Sequence, residues 1–576
     1  MESKDRPIRV YYDASTPEAT AEALLAQIER DWTWQIDTTG FAVPLRMVGT
    51  RVEPGFDMFV AQIDPSTTYT FEVQGDNPAT VEADCPVLSV MNSRYTTAAD
   101  LADASRHLLN HASLHAIDCL EPALPAYDMW SVAIQFLAKK NSPSTPHFLA
   151  DFQGTPEEPL SWVEVFGETH FDFYSFGSML YAAFLDQRFG QGDGKLLAEI
   201  WRHTAQAGHI TGIDPNANPE WPTSDVVNSP TFFDAIDVVL QEKGSSFDEA
   251  FAEFAIWRLL VGSYHDGHHF KGVTAITNVK VNTTVELSEM PIVAKHPSVL
   301  VGRYGTSYIK LNGVTALSRP LQVTFEGLGE FKWSAQLVCV RSGEEARVLP
   351  VAEETSRGSA LLTNPSECTA AFLAVENHSE GNFSPNIDVS GDLDELYNRW
   401  ALVGDYTVSL SAVAVPTLVA VTPSHLIRGQ GEVSLTMQGT DFVAGSSLAV
   451  RLGDGVTVSS VELVDSSTVR LKASAQLTAA IGRRDVTLVS GDGQEVTLPQ
   501  GISIDPEPVD AGVVADASLV PSSDAGEVAA PPGEPEGCGC SASGTAFGGL
   551  GLLTLLALAA TRRRRPRSEG AGTLCG

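Results

Sequence analysis

Three evenly spaced histidines are the residues of this sequence best suited to chemistry. His107, His111 and His115 lie four residues apart in a segment whose apolar residues recur at helical spacing. Each step of four residues turns a helix by about 40°, so the three imidazoles would share one helix face. Two histidines at this spacing can bind one zinc ion, which makes His111 and His115 a candidate metal pair. The alternative is that these histidines are buried and bind no metal.

A third ligand would have to come from elsewhere in the chain. His107 could take this role, and Asp128 is the only carboxylate on the next predicted helix. Asp118 or Cys119, at the end of the histidine helix, could also reach the site. The run His265-Asp266-Gly267-His268-His269 is a second metal candidate, although its composition is more typical of a polar loop.

Helical patterns surround the histidines from about residue 98 to 270. The histidine helix is predicted to begin after Thr97 or Asp100, either of which can cap it, and to end near Ile117. Further helices are predicted over 127–139, 175–189, 195–206, 231–241 and 247–261. Strands near 9–12, 57–63 and 69–73 and a helix from 17 to 32 precede them. Residues 1–270 are therefore predicted to form one α+β domain.

The pattern changes to alternating apolar and polar residues after the helical region. Residues 271–412 are predicted to be a β-sandwich, and residues 414–505 a second β unit. Residues 506–536 are rich in Pro, Ala, Asp and Glu and are predicted to be a disordered stalk. The fold class is therefore multidomain α+β.

The second β unit carries landmarks of a known module. They are the turn Gly439-Thr440-Asp441-Phe442 and a strand that begins at Gly482 and contains Asp485-Val486-Thr487. In this order they resemble an IPT/TIG domain, which has an immunoglobulin-like fold. The resemblance implies a spacer or binding module of a cell-surface protein and contributes no catalytic residue.

Several features between residues 8 and 412 occur together in one enzyme family. They are the α/β unit, the His-x-x-x-His helix, a helix around Trp130, the segments Tyr174-Ser175-Phe176-Gly177 and Phe254-Ala255-Ile256-Trp257, and a closing β domain. This set resembles a family of secreted, gluzincin-like zinc metalloproteases of myxobacteria that carry a His-Glu-x-x-His helix. The resemblance implies a zincin-like head with zinc as its cofactor.

Two positions depart from the catalytic pattern of that family. Ala112 occupies the position of the glutamate that acts as general base and takes a proton from zinc-bound water. A ligand glutamate is expected near Trp130, but none occurs between Glu121 and Glu157. These departures are typical of a pseudoenzyme with no catalytic residue.

Three functions remain open. The first is an exported, envelope-associated protein that keeps His111 and His115 as vestigial or weak metal ligands, lacks full peptidase activity and binds an unknown protein or peptide. The second is an active zinc metallopeptidase in which His107 or Asp128 substitutes for a missing ligand. The third is a structural or adhesive surface protein. The sequence favours the first.

The C-terminal residues follow the order of an envelope-sorting signal. Cys538 and Cys540 precede an apolar stretch from about 544 to 561, which could form a transmembrane helix. This stretch ends at a membrane-stop cluster, Arg562, Arg563, Arg564 and Arg565. Residues 537–567 thereby resemble the myxobacterial C-terminal sorting signal, which a dedicated intramembrane protease processes near the cysteines. The chain is expected to be anchored in the envelope or released after processing.

The N-terminus leads to a different expectation. Met1-Glu2-Ser3-Lys4-Asp5-Arg6 lacks the basic and apolar regions of a secretory signal, so the signal peptide is missing from this sequence. We expect that the start codon is assigned too late or that the sequence is a fragment.

Cysteine usage and charge agree with an extracytoplasmic protein. Four of the seven cysteines lie outside the tail, and Cys85–Cys119 and Cys339–Cys368 are the expected disulfides. Free buried thiols are the alternative. The net charge of −35 argues against nucleic acid as a partner, because phosphate binding needs a basic face.

Overall fold

The computed structural model describes residues 1–64, 67–121, 124–138, 145–160, 174–214, 221–223, 228–271, 276–329, 331–379 and 403–508. Within these residues the chain is mixed α+β with several sheets, as the sequence predicts. No helix of the described ranges is both long enough and apolar enough to cross a membrane. The predicted tail helix at 544–561, Cys538, Cys540, the arginine cluster and most of the predicted stalk lie outside the described residues.

The N-terminal α/β unit is built on a four-stranded sheet. Its strands and its small hairpin are β1 (Ile8–Tyr12), β2 (Leu45–Val48), β3 (Arg51–Pro54), β4 (Phe56–Ala61), β5 (Tyr69–Val73) and β6 (Val87–Asn92). The order is β1-β4-β6-β5, in which β5 alone runs antiparallel to its neighbour, while β2 and β3 pair with each other. Helix α1 (Glu18–Trp32) continues into a π-helical segment (Thr33–Thr39). The apolar face of α1 is buried with Ile8, Val10 and Met58 of the sheet.

The helical region contains the predicted helices with shifted ends, but the predicted helix 175–189 is divided in two, the predicted helix 195–206 ends at Arg202, and a helix over Thr145–Gly154 was not predicted. The helices are α2 (Ala98–His115), α3 (Leu124–Ala138), α4 (Thr145–Gly154), α5 (Tyr174–Gly177), α6 (Met179–Phe189), α7 (Lys195–Arg202), α8 (Phe232–Glu242) and α9 (Phe247–Leu259). A short hairpin, β7 (Gly212–Asp214) and β8 (Trp221–Thr223), lies between α7 and α8. Trp130, Trp201, Tyr181 and Phe254 belong to one large aromatic core shared by these helices.

The predicted β-sandwich consists of two packed antiparallel-rich sheets. Its strands are β9 (Thr283–Glu286), β10 (Ile292–Lys295), β11 (Thr306–Asn312), β12 (Leu321–Gly327), β13 (Trp333–Arg341), β14 (Glu344–Ala352), β15 (Arg357–Leu362), β16 (Ala370–Asn377) and β17 (Tyr406–Ala412). The sheet orders are β10-β17-β12-β15 and β14-β13-β16-β11-β9. Alternate residues such as Val323, Phe325 and Leu337 fill the space between the sheets.

Helix α9 covers the outer face of the five-stranded sheet. Ile256 and Leu259 of this helix share an apolar core with Val338 and Phe372 of the sheet. The hydroxyl of Tyr308 also donates to the carbonyl of residue 255, at 2.8 Å. The helical region and the β-sandwich, which the predicted boundary at 270/271 separates, therefore share an apolar core.

The second β unit also has two sheets around its own core. Its strands are β18 (Thr417–Thr422), β19 (His425–Ile427), β20 (Val433–Thr440), β21 (Ala449–Arg451), β22 (Val456–Asp465), β23 (Thr468–Ala475), β24 (Gly482–Val489) and β25 (Glu495–Asp505). They form sheets in the orders β18-β20-β23-β22 and β19-β25-β24-β21. Leu435, Leu471 and Val486 are buried between them.

Both expected disulfides are confirmed. The sulfur atoms lie 2.02 Å apart in Cys85–Cys119 and 2.01 Å apart in Cys339–Cys368. The first bridge joins the segment before β6 to the turn that follows α2. The alternative of free thiols does not apply to these four cysteines.

Candidate metal centre

Helix α2 brings the three histidines onto one buried face. A capping box fixes its start, because the Thr97 hydroxyl accepts from the Asp100 N–H and the Asp100 carboxylate accepts from the Thr97 N–H. All three histidines are buried. The sequence therefore predicted both the helix and the common face of its imidazoles.

Helix α3 supplies the carboxylate that meets this face. The Asp128 Oδ1 atom lies 3.2 Å from Nε2 of His111 and 3.7 Å from Nε2 of His107. The possible ligand atoms of the three residues all lie within 4.8 Å of one another. We name His107, His111 and Asp128 the His–His–Asp group. It could hold a metal ion, and no second group of this kind occurs in the described part of the chain.

Two of the three separations between possible ligand atoms can be compared with those of a tetrahedral metal site. Bonds of about 2.0–2.1 Å place the ligand atoms of a tetrahedral zinc ion about 3.3 Å apart. The two separations from Oδ1 of Asp128, 3.2 and 3.7 Å, are close to that edge length, and the 3.2 Å contact with Nε2 of His111 is also a hydrogen bond between the two side chains. Two imidazole nitrogens and one carboxylate oxygen are also a common zinc donor set.

Burial sets the charge of the group. Desolvation lowers the pKa of each histidine of α2 to about 3, so all three are neutral near pH 7. Desolvation raises the pKa of Asp128 to about 6, against the opposing effects of His107 and the Ser175 hydroxyl. Neutral imidazoles beside an ionised carboxylate are the protonation state that a metal requires.

The group is closed to solvent. His107, His111 and Asp128 are 2, 0 and 8% exposed. The Tyr69 ring lies 4.8 Å from that of His107, and the Phe71 ring lies 4.4 Å from that of His111. A catalytic zinc site instead keeps one position open for water and substrate. The three side chains are instead almost fully buried in the described part of the chain.

His115 lies outside the group, whereas His107 and Asp128, the possible substitute ligands of the sequence prediction, belong to it with His111. Its Nδ1 atom lies 2.8 Å from the main-chain carbonyl of His111, one helical turn earlier. Its ring stacks on that of Tyr127 with centroids 4.1 Å apart, while the His111 and His115 rings are 6.1 Å apart. His107, with its ring 4.5 Å from that of His111, takes the place predicted for His115.

Ala112 belongs to a different environment from the His–His–Asp group. It is 1% exposed and is part of the apolar core that contains Ile28 of α1 and Val10 of β1. Position 112 therefore serves the packing of α2 against the N-terminal unit.

The other predicted candidates have different partners. Cys119 is in a disulfide, and the Asp118 carboxylate accepts from the Leu120 N–H at 2.9 Å and from the Gln206 amide at 3.1 Å. These contacts hold both side chains in the turn after α2, so the structure does not bring them to the histidines.

The second histidine cluster forms a hydrogen-bonded loop. Oδ1 of Asp266 accepts from the N–H groups of His268 and His269, at 3.0 and 3.3 Å. Its Oδ2 atom lies 2.8 Å from Nδ1 of His269 and accepts from the Ala346 N–H. Asp266 therefore stabilises the loop itself, which agrees with the interpretation of this run as a polar loop.

Sequence reasoning missed the residues that surround the group. Ser175 donates to Oδ2 of Asp128 at 3.3 Å, and Tyr69 and Phe71 come from strand β5. Ser175 lies 47 residues beyond Asp128, and its one signal in the sequence is the Tyr-Ser-Phe-Gly segment.

A scan against protein-family models finds no match for the chain, and a search among curated proteins finds none either. Function must therefore be inferred from the residues and their geometry.

Proposed function

We propose that this chain is an exported, envelope-associated protein whose head resembles zinc metalloproteases, does not hydrolyse peptides and acts by binding a protein or peptide. The observation that carries the proposal is the burial of the His–His–Asp group. Hydrolysis needs a metal-bound water, a base beside it and access for the peptide. Ala112 supplies no base, and the rings of Tyr69 and Phe71 pack against those of His107 and His111.

Zinc is the metal that the group would hold, through Nε2 of His107, Nε2 of His111 and Oδ1 of Asp128. When bound, zinc would supply a strong cross-link between α2 and α3. In a closed site such an ion contributes to folding and to stability. The residues around it would then serve to exclude water and to orient the ligands.

The envelope location rests on three features. The two disulfides are typical of an oxidising compartment. The two-sheet unit of residues 414–505 has the strand content expected of an IPT/TIG module, which we propose as a spacer or a further binding surface. The tail resembles a sorting signal, with Cys538 and Cys540 as its processing region and the membrane helix as its anchor.

The test is a peptidase assay on the full chain after zinc loading, with casein as substrate and His111→Ala as the matched control. We expect no hydrolysis above the level of the variant. Zinc-dependent hydrolysis that His111→Ala abolishes would instead establish the active peptidase with non-standard ligands.

A further inference from the structure

The two oxygens of the Asp128 carboxylate face different partners. Oδ1 lies toward the two histidines, at 3.2 and 3.7 Å. Oδ2 accepts a hydrogen bond from the Ser175 hydroxyl, at 3.3 Å. One oxygen is therefore directed at the possible metal position, and the other is held away from it.

The short helix α5, which carries Ser175, is itself fixed in place. The Tyr174 hydroxyl lies 3.0 Å from the carbonyl oxygens of Glu158 and of Pro159, just beyond α4. Gly177 lies so close to α4 that a Cβ atom there would be 2.4 Å from the Phe148 carbonyl oxygen. The helix that carries the Ser175 hydroxyl is thus hydrogen-bonded and closely packed against its neighbours, and Ser175 is 5% exposed.

We propose that Ser175 is a positioning residue that holds Asp128 as a single-oxygen ligand of the bound metal. This inference rests on the zinc site proposed above and goes beyond it, because it assigns the orientation of the carboxylate to a residue that does not touch the ion.

The physical reason is the freedom of an aspartate side chain. Rotation about its last torsion is broad, so an unrestrained carboxylate can turn either oxygen, or both, toward a cation. The Ser175 hydroxyl selects one orientation before the metal arrives. Hydrogen bonds of this kind to a ligand typically contribute 10–100-fold to metal affinity.

Ser131 offers a matched control on helix α3. It is also buried, and its hydroxyl donates to Oδ1 of Asn110 at 3.2 Å. Ser131→Ala therefore removes a buried serine hydroxyl from the same helical bundle without touching Asp128. Ser175→Thr is the conservative variant that keeps a hydroxyl at position 175.

The experiment measures zinc affinity of the full chain by competition with a chromogenic chelator, after the melting temperature of each metal-free variant is recorded. We expect Ser175→Ala to bind one zinc ion at least about 10-fold more weakly than the wild type. Ser131→Ala should keep wild-type affinity, and Ser175→Thr should regain most of it. The Co²⁺ absorption spectrum should also change in Ser175→Ala alone.

Three results would overturn the inference. Equal affinities for Ser175→Ala and Ser131→Ala would remove the positioning role while the zinc site itself stands. A Ser175→Thr variant as weak as Ser175→Ala would show that packing, and not the hydroxyl, matters. A wild-type chain that binds no zinc would refute both this inference and the proposed zinc site, and would leave the proposed lack of peptidase activity intact.

Discussion

Replacing Ala112 with glutamate restores the side chain that the metalloprotease pattern requires at this position, yet we expect it to destabilise the protein. Ala112 is 1% exposed within an apolar core, so the new carboxyl group would have no solvent. Full burial raises a carboxyl pKa by about 3–5 units, and each unit corresponds to about 1.4 kcal/mol. The larger side chain adds about 1–3 kcal/mol of overpacking. The two effects together are therefore expected to cost about 5 kcal/mol or more, against a total stability of about 5–15 kcal/mol for a domain.

The assay is thermal and urea unfolding followed by circular dichroism at a helix-sensitive wavelength, because the described α-helices all lie before residue 260. Ala98→Glu is the control, since Ala98 is an exposed residue in the first turn of the same helix. It should change the free energy of unfolding by less than about 0.5 kcal/mol. A stable Ala112→Glu variant that gains zinc-dependent peptidase activity would refute the reasoning, because position 112 would then face the metal.

Three further predictions concern the rest of the head and the sandwich. Burial raises the pKa of Asp118. The pKa of Glu121 is raised by its own burial and by the nearby charge of Asp118. Between the unfolded-state and folded-state pKa values, these carboxyl groups therefore stay protonated in the folded protein but not in the unfolded chain. The free energy of unfolding should therefore fall as pH rises above about 4 toward the folded-state pKa values. In urea titrations at pH 5, 6 and 7, Asp118→Asn should make the decrease of this free energy with pH shallower by about 1.4 kcal/mol per pH unit. Equal slopes for the wild type and the variant would contradict this. Replacing Cys339 and Cys368 with serine should lower the free energy of unfolding by about 3–4 kcal/mol, because the disulfide closes a loop of 29 residues. Urea unfolding without reductant measures this loss. An unchanged unfolding midpoint would contradict the prediction. A fragment of residues 276–412 should aggregate or fail to unfold cooperatively, because it exposes the sheet face that α9 covers; a monomeric, cooperative fragment would show that the sandwich is independent.

Local patterns were sufficient to predict the elements that carry the site. Thr97 and Asp100 gave the start of α2, and the four-residue spacing gave the common face of its histidines. The disulfide pairs were predicted because each lies within one predicted domain, and 34 and 29 residues separate the partners. These features depend on short stretches of chain, where helical periodicity and capping act directly.

The choice of partners within the site could not be predicted in this way. A helix face of three histidines does not show which two will meet the next helix, and the crossing of α3 over α2 places Asp128 beside His107 and His111. His115 is left one turn further on, against Tyr127. Contacts between distant segments, such as Ser175 with Asp128, depend on tertiary packing that periodicity does not encode.

The most direct test of the account is anomalous diffraction at the zinc edge from crystals of the zinc-loaded chain. We expect one strong peak bounded by Nε2 of His107, Nε2 of His111 and Oδ1 of Asp128, with the surrounding aromatic rings packed against it. A peak held by His111 and His115, with a bound water reached from the protein surface, would contradict the closed, non-hydrolytic site.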